Sequence, residues 1–323
     1  MPIFNWNEML QHLPAEWRST EGRGVKIAYL DSGAELQHLA LRHLDKPGHK
    51  FNVARANYAP NAPIPVGNDD ISDLKNEGIL HGTACLSVLA ALPETDDHDN
   101  PTAGLKGIAP QAEIYIIKIA GTDNTVTDKN LVDGIHLALK LGVDIIGTSV
   151  LTTRSETVTE GRLREVFDML TASRTVLVTT LRNTDSLARL KRLAFPSTEP
   201  ESIVAGTISH PILASRPAPA DIAELTGLLL PAAQVVCYTG IADTPYSKRE
   251  CSCSFATACL AGVAALAISR LKEKAATDEI PYERPDRATL LQHLTETVAQ
   301  PFSIEEMLAL PLCFYNPKTA LNP

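Results

Sequence analysis

The chain has 323 residues, 44% of them apolar and 21% charged, and a net charge of −9 from 29 basic and 38 acidic side chains. This is ordinary globular composition, long enough for a large core, and its acidic balance argues against the basic patch of a nucleic-acid binder. No apolar run reads as membrane-spanning and the N-terminal MPIFNWNEMLQHLPAEW lacks the basic-then-apolar order of a secretion signal, so the six cysteines are expected as free thiols of a cytoplasmic protein, complete or one domain of a longer chain.

The first strand signal is VKIAYLD at 25–31, which ends on Asp31 before Ser32 and Gly33. A carboxylate at the tip of a parallel strand stands where active sites form; an Asp before Ser-Gly also makes a turn. The Pro/Asn-rich 57–70 reads as a surface loop. HGTACLSVLAAL at 81–92 predicts an apolar helix with His81 at its mouth. Gly82 there permits close approach of another group, and Thr83 suits a cap for the first turn. ETDDHDN at 94–100 reads as a solvated acidic insertion, without the spacing of a calcium loop.

AEIYIIKIA at 112–120 predicts the next strand. The segment 128–141 predicts a helix with Leu131, Ile135 and Leu139 on one stripe. His136 within it reads as a surface or core-edge residue, since no metal-ligand partner is spaced near it. Further strands are predicted at 143–150, 175–180, 202–209 and 233–239, a helix at 163–172, and a loop at 215–222. Residues 254–268 are apolar on every side and predict a buried central helix, and 287–298 predicts an amphipathic one. Near-continuous apolar strands alternating with helices predict an α/β fold: a doubly wound, mostly parallel central sheet with helices on both faces, as a single domain over 1–323.

Ser254 opens the predicted central helix, where free amides and the helix dipole stabilise negative charge. A serine there is otherwise a plain cap. Asp31, His81 and Ser254 thus stand at element tips in the chain order Asp, His, Ser.

On these residues the chain resembles the subtilisin-like serine proteases. GRGVKIAYLDSG (22–33) resembles the family's Asp motif, HGTACLSVLAAL its His motif, and SCSFATACLAGVAAL (252–266) its Ser motif. LKGIAPQAEIYIIKI, FPSTEPESIVAGTIS and the closing YNPKTAL also fit, so the match runs from 17 to about 321. The resemblance implies a serine endopeptidase acting on protein or peptide substrates, with no nucleic-acid or membrane partner. It assigns Ser254 as nucleophile, His81 as general base and Asp31 as the group that orients it. It places the oxyanion hole at Asn183 and the Ser254 backbone amide, where losing one donor costs about 3–4 kcal/mol. It places Cys85 as the thiol beneath the histidine in proteinase K-like members, with Cys259 approaching it.

The match breaks at the substrate pocket. Its walls would be Ser149, Val150 and Leu151 on one side and Thr180, Leu181 and Arg182 on the other, with Leu151 and Arg182 where the family has glycine. Those side chains imply a narrowed pocket, and an inward Arg182 would suit an acidic substrate side chain. Ala40 stands where some members carry a calcium-ligating Asp; no cofactor is expected. The altered flanks imply limited, regulatory proteolysis. Some fungal members cleave gasdermin-like pore-forming proteins in cell-death reactions, and the resemblance extends to that role. The alternative is a pseudoprotease that binds partners through a blocked pocket. A thiol redox or metal site at 237–259 is a third reading, although its Cys-x-Cys spacing matches no common zinc pattern.

Overall fold

A computed structural model describes residues 3–4, 10–11, 13–55, 58–73, 75–76, 79–93, 106–155, 157–181, 195–207, 228–230, 234–238, 246–250, 252–300 and 314–315. In chain order these form β1 (Lys26–Asp31), β2 (Lys50–Asn52), α1 (His81–Ala90), β3 (Glu113–Lys118), α2 (Asp128–Lys140), β4 (Ile145–Thr148), α3 (Glu160–Ser173) and β5 (Val176–Thr180). There follow β6 (Ser202–Thr207), β7 (Leu228–Leu230), β8 (Gln234–Tyr238), β9 (Tyr246–Glu250), α4 (Cys253–Thr277), α5 (Arg287–Val298), β10 (Ala299–Gln300) and β11 (Phe314–Tyr315).

Nine strands join one sheet in the order β10-β11-β7-β6-β5-β4-β1-β3-β2. All neighbours are parallel except β7 and β11. The central strands β1, β3, β4, β5 and β6 are buried along nearly their whole length because both faces are covered. Ile27 and Tyr29 of β1 point into a core shared with α1 and α4, while Ala28 and Leu30 point into a second core with α2 and α3. The doubly wound α/β fold expected from the sequence is therefore the one found, and the predicted strands of this sheet lie within two residues of the observed ones.

The segment predicted at 233–239 does form a strand, but in another sheet. β8 pairs in parallel with Ile3–Phe4 and antiparallel with β9, and the Tyr238 amide donates to Ser87 Oγ on α1 at 3.1 Å. Apolarity says that a strand is buried, not which partners its backbone finds. β2 has one buried apolar residue, Phe51, between two half-buried polar ones, so it gave no strand signal.

Local chemistry explains the helix starts. Thr127 Oγ1 accepts from the Asn130 amide ahead of α2, and Thr159 Oγ1 from the Arg162 amide ahead of α3. α4 runs well past its predicted end at 268. With 25 residues it is long and apolar enough to cross a membrane, contrary to the reading that no run has that length, but 83% of its most apolar window is buried inside the protein. At the amino-terminal edge of the sheet, Asp144 accepts from the Lys26 amide at 2.9 Å and pairs with Lys272 and Arg284, each at 2.9 Å.

Candidate active site

The carboxyl ends of β1 and β4 meet the amino-terminal ends of α1 and α4. Asp31 is the last residue of β1, His81 the first of α1, and Ser254 the second of α4.

Asp31 is buried, and its Oδ1 accepts from His81 Nδ1 at 2.7 Å, from the Ser32 amide at 2.7 Å and from Ser32 Oγ at 3.1 Å. A carboxylate only accepts, so it holds the imidazole proton on Nδ1 and leaves Nε2 as the basic nitrogen. The close seating of α1 on β1 depends on Gly82. A Cβ there would lie 2.1 Å from the Gly33 carbonyl oxygen and 3.1 Å from Asp31 Cβ. The close approach expected of this glycine is thus to the strand tip itself.

A second carboxylate, Asp73, was not singled out from the sequence. Its Oδ1 accepts from Ser32 Oγ at 2.6 Å, and its Oδ2 accepts from the Thr83 amide at 3.0 Å and Thr83 Oγ1 at 2.9 Å. Thr83 therefore does not cap the helix, contrary to the expectation from its sequence position. The N-cap position belongs to Leu80, which has no capping side chain, and Asp73 does the work from outside the helix. Burial raises the Asp73 pKa, and the Asp31 charge adds to it, against the bonds from Ser32 and Thr83. Lys118 donates to the Ser32 and Ser72 carbonyls, at 2.6 Å each. Burial lowers its pKa, against the pull of Asp73 and Asp70. No local motif marks Asp73; it is one of several acids in a polar loop.

Ser252 is the N-cap of α4, one residue earlier than the predicted start implies, and the Ala256 amide makes the first bond of the helix to its carbonyl at 3.1 Å. The amides of Cys253 and Ser254 thus precede the helical ladder, where the dipole favours negative charge. Ser254 is half-buried. Its carbonyl accepts from Ser149 Oγ at 3.1 Å, and Ser149 Oγ is bonded in turn to the Tyr29 hydroxyl.

The thiols around Ser254 are poor nucleophiles. Burial pushes Cys253 up to about 11 and raises Cys85 well above the usual thiol value. Cys85, Cys237, Cys253 and Cys259 are all buried as thiols outside any disulfide, as expected; Cys251 and Cys313 lie outside the described residues. Cys85 sits beneath the Asp31–His81 pair, and Cys237 is the thiol whose charge acts on it. Asp31, His81 and Cys85 are also the group, among the described residues, whose ligand atoms come close enough to hold a metal ion, all within 4.8 Å of one another.

Of the predicted pocket residues, Ser149 is buried and Val150 and Leu151 are half-buried at the end of β4. The segment is pinned: the Thr152 amide donates to the Phe195 carbonyl at 3.0 Å and its hydroxyl to the Val126 carbonyl at 3.3 Å. Asp128 gathers the Ser155 amide and the hydroxyls of Ser155 and Thr157 just beyond. Thr180 and Leu181 are buried at the end of β5, the latter bonded to the Ala205 carbonyl. Arg182, Asn183 and the acidic stretch 94–100 lie outside the described residues.

Residues 22–305 match the family model described as Subtilase family. The chain is 30% identical over 205 residues to the Intracellular serine protease of Paenibacillus polymyxa, covering 62% of this chain and 55% of that one. It is 26% identical over 200 residues to the Major intracellular serine protease of Bacillus subtilis (strain 168), covering 61% of this chain and 55% of that one. The chain thus spans about half the length of these curated relatives. In fold it is similar to the prenylagaramide maturation protease PagA, with a TM-score of 0.59 at 18% identity, covering 90% of each chain.

Proposed function

This chain belongs to the subtilase family, and from that membership we propose that it is a serine endopeptidase with Ser254 as nucleophile. The observation that carries the reading is the 2.7 Å bond between His81 Nδ1 and buried Asp31, next to the polar chain through Ser149 that reaches Ser254. In this reaction Ser254 Oγ attacks the substrate carbonyl carbon while His81 Nε2 takes its proton. The oxyanion draws on the Ser254 amide at the head of α4 and on Asn183. Collapse breaks the C–N bond, and His81 returns the proton to the leaving amine. Water, activated by the same nitrogen, then releases the acyl group. Asp31 keeps the imidazole oriented and stabilises its cation. Side chains and backbone suffice for this chemistry, so the proposal includes no cofactor.

The match across 22–305 supports a single catalytic domain, and the two relatives named as intracellular support a cytoplasmic setting. The bulk of Leu151 where the family has glycine supports cleavage of few protein substrates, a gasdermin-like pore-former among the candidates. A fluorophosphonate probe, which reacts with activated serines, tests the nucleophile. Labelling is expected in wild type and in Cys253→Ala, and lost in Ser254→Ala. A folded wild type that stays unlabelled would favour the pseudoprotease.

A further inference from the structure

Tyr29 is one of the largest side chains that the described core buries completely. It shares a face of β1 with Asp31, two residues on. Its neighbour across the sheet is Gly147 of β4, where an added Cβ would meet the Tyr29 ring at 2.9 and 3.0 Å. The ring therefore fills the space that Gly147 leaves, and runs along β4 until its hydroxyl reaches Ser149. Ser149 Oγ has one proton and donates it to the Ser254 carbonyl, so Tyr29 is the donor in its own bond to Ser149. The Cys85 thiol lies beside both hydroxyls, beneath the Asp31–His81 pair.

We propose that Tyr29 is a positioning residue: through Ser149 its hydroxyl fixes the first turn of the Ser254 helix relative to the strand that carries Asp31. The inference rests on Ser254 being the nucleophile. The Tyr29 hydroxyl touches no reacting atom. It holds the only proton of Ser149 on the Ser254 carbonyl, and without it Ser149 is free to turn toward Cys85. Nucleophile and base then lose a shared reference, and misplacement of this kind lowers the rate of attack rather than the affinity.

The test follows fluorophosphonate inactivation of wild type, Tyr29→Phe, Ser149→Ala and the double variant, resolved into the maximal rate kinact and the half-saturating concentration KI. Each sample is confirmed folded by its thermal midpoint. Tyr29→Phe, which keeps the ring, should lower kinact about tenfold with KI changed less than twofold. Ser149→Ala should lower kinact to the same extent, and the double variant should have a kinact no lower than the slower single, because both break one path. A Tyr29→Phe protein that is less stable but reacts at the wild-type kinact overturns the inference, as do single effects that multiply in the double. If Tyr29→Phe does not fold, Ser149→Ala decides alone by the same criterion. Labelling that survives Ser254→Ala overturns the nucleophile and this inference together; labelling lost there but unchanged in Tyr29→Phe overturns only this one.

Discussion

Replacing Gly82 by alanine should separate the base from its carboxylate. The new Cβ would lie 2.1 Å from the Gly33 carbonyl oxygen, 3.2 Å from the Gly33 carbonyl carbon and 3.1 Å from Asp31 Cβ. These are backbone atoms and the root of a side chain, so no rotamer change relieves the contact. Ordinary van der Waals contact begins at 3.4 Å, so the first turn of α1 has to back away by about 1.3 Å (3.4 − 2.1). His81 precedes Gly82 in the same turn and moves with it, and a shift of that size along the 2.7 Å bond to Asp31 would open it to about 4 Å, beyond hydrogen-bonding range. A displacement near 1 Å costs about 100-fold in rate, or roughly 2.7 kcal/mol of activation energy. The assay is the fluorophosphonate labelling rate of Gly82→Ala against wild type, with circular dichroism to confirm the fold. A folded variant that labels within threefold of wild type would refute the argument that this glycine seats the histidine.

At the other end of the sheet, Asp144→Ala should lower stability and spare the chemistry. It strips a buried carboxylate from Lys272, Arg284 and the Lys26 amide. Full burial of such a pair would make the loss about 3–5 kcal/mol; both cations are about a quarter exposed, so about 2–3 kcal/mol is expected from urea unfolding. Its labelling rate at 20 °C, about room temperature, should stay within twofold of wild type, and a larger drop would show coupling between the two ends. Asp73→Asn has a pH signature. Burial raises the Asp73 pKa in the folded state, so its ionisation weakens the fold as pH rises from the unfolded value of about 3.9 through the folded one. Asparagine does not ionise, so the deficit of Asp73→Asn relative to wild type should shrink between about pH 4 and pH 7. Urea midpoints that show the deficit growing over that range would contradict the raised pKa.

Much of this was legible in the sequence because local rules carry it. Apolar runs gave the central strands, and the all-apolar stretch after Ser254 gave the core helix. Asp31, His81 and Ser254 were visible because each sits at an element tip, the first two close to a glycine, Gly33 and Gly82. The supporting groups were not. Tyr29 meets Ser149 across 120 positions of the chain, and Asp73 lies in a polar loop eight residues before His81. Each reads locally as an ordinary strand tyrosine or loop acid, and only tertiary pairing gives it a partner. Thr83 was misread for the same reason: a local cap was assumed where a distant carboxylate took the amide. β8 was found as a strand and put in the wrong sheet, since backbone pairing is not written in hydropathy.

α4 packs against β4, β5 and β6, and it also carries Ser254. Asp31 and His81 stand 50 positions apart, while Ser254 leaves the ribosome some 220 residues after Asp31. Until then the growing chain lacks both its proposed nucleophile and the wall against which β4, β5 and β6 hide one face from water. Completion of the core and assembly of the proposed catalytic site are therefore one event in synthesis.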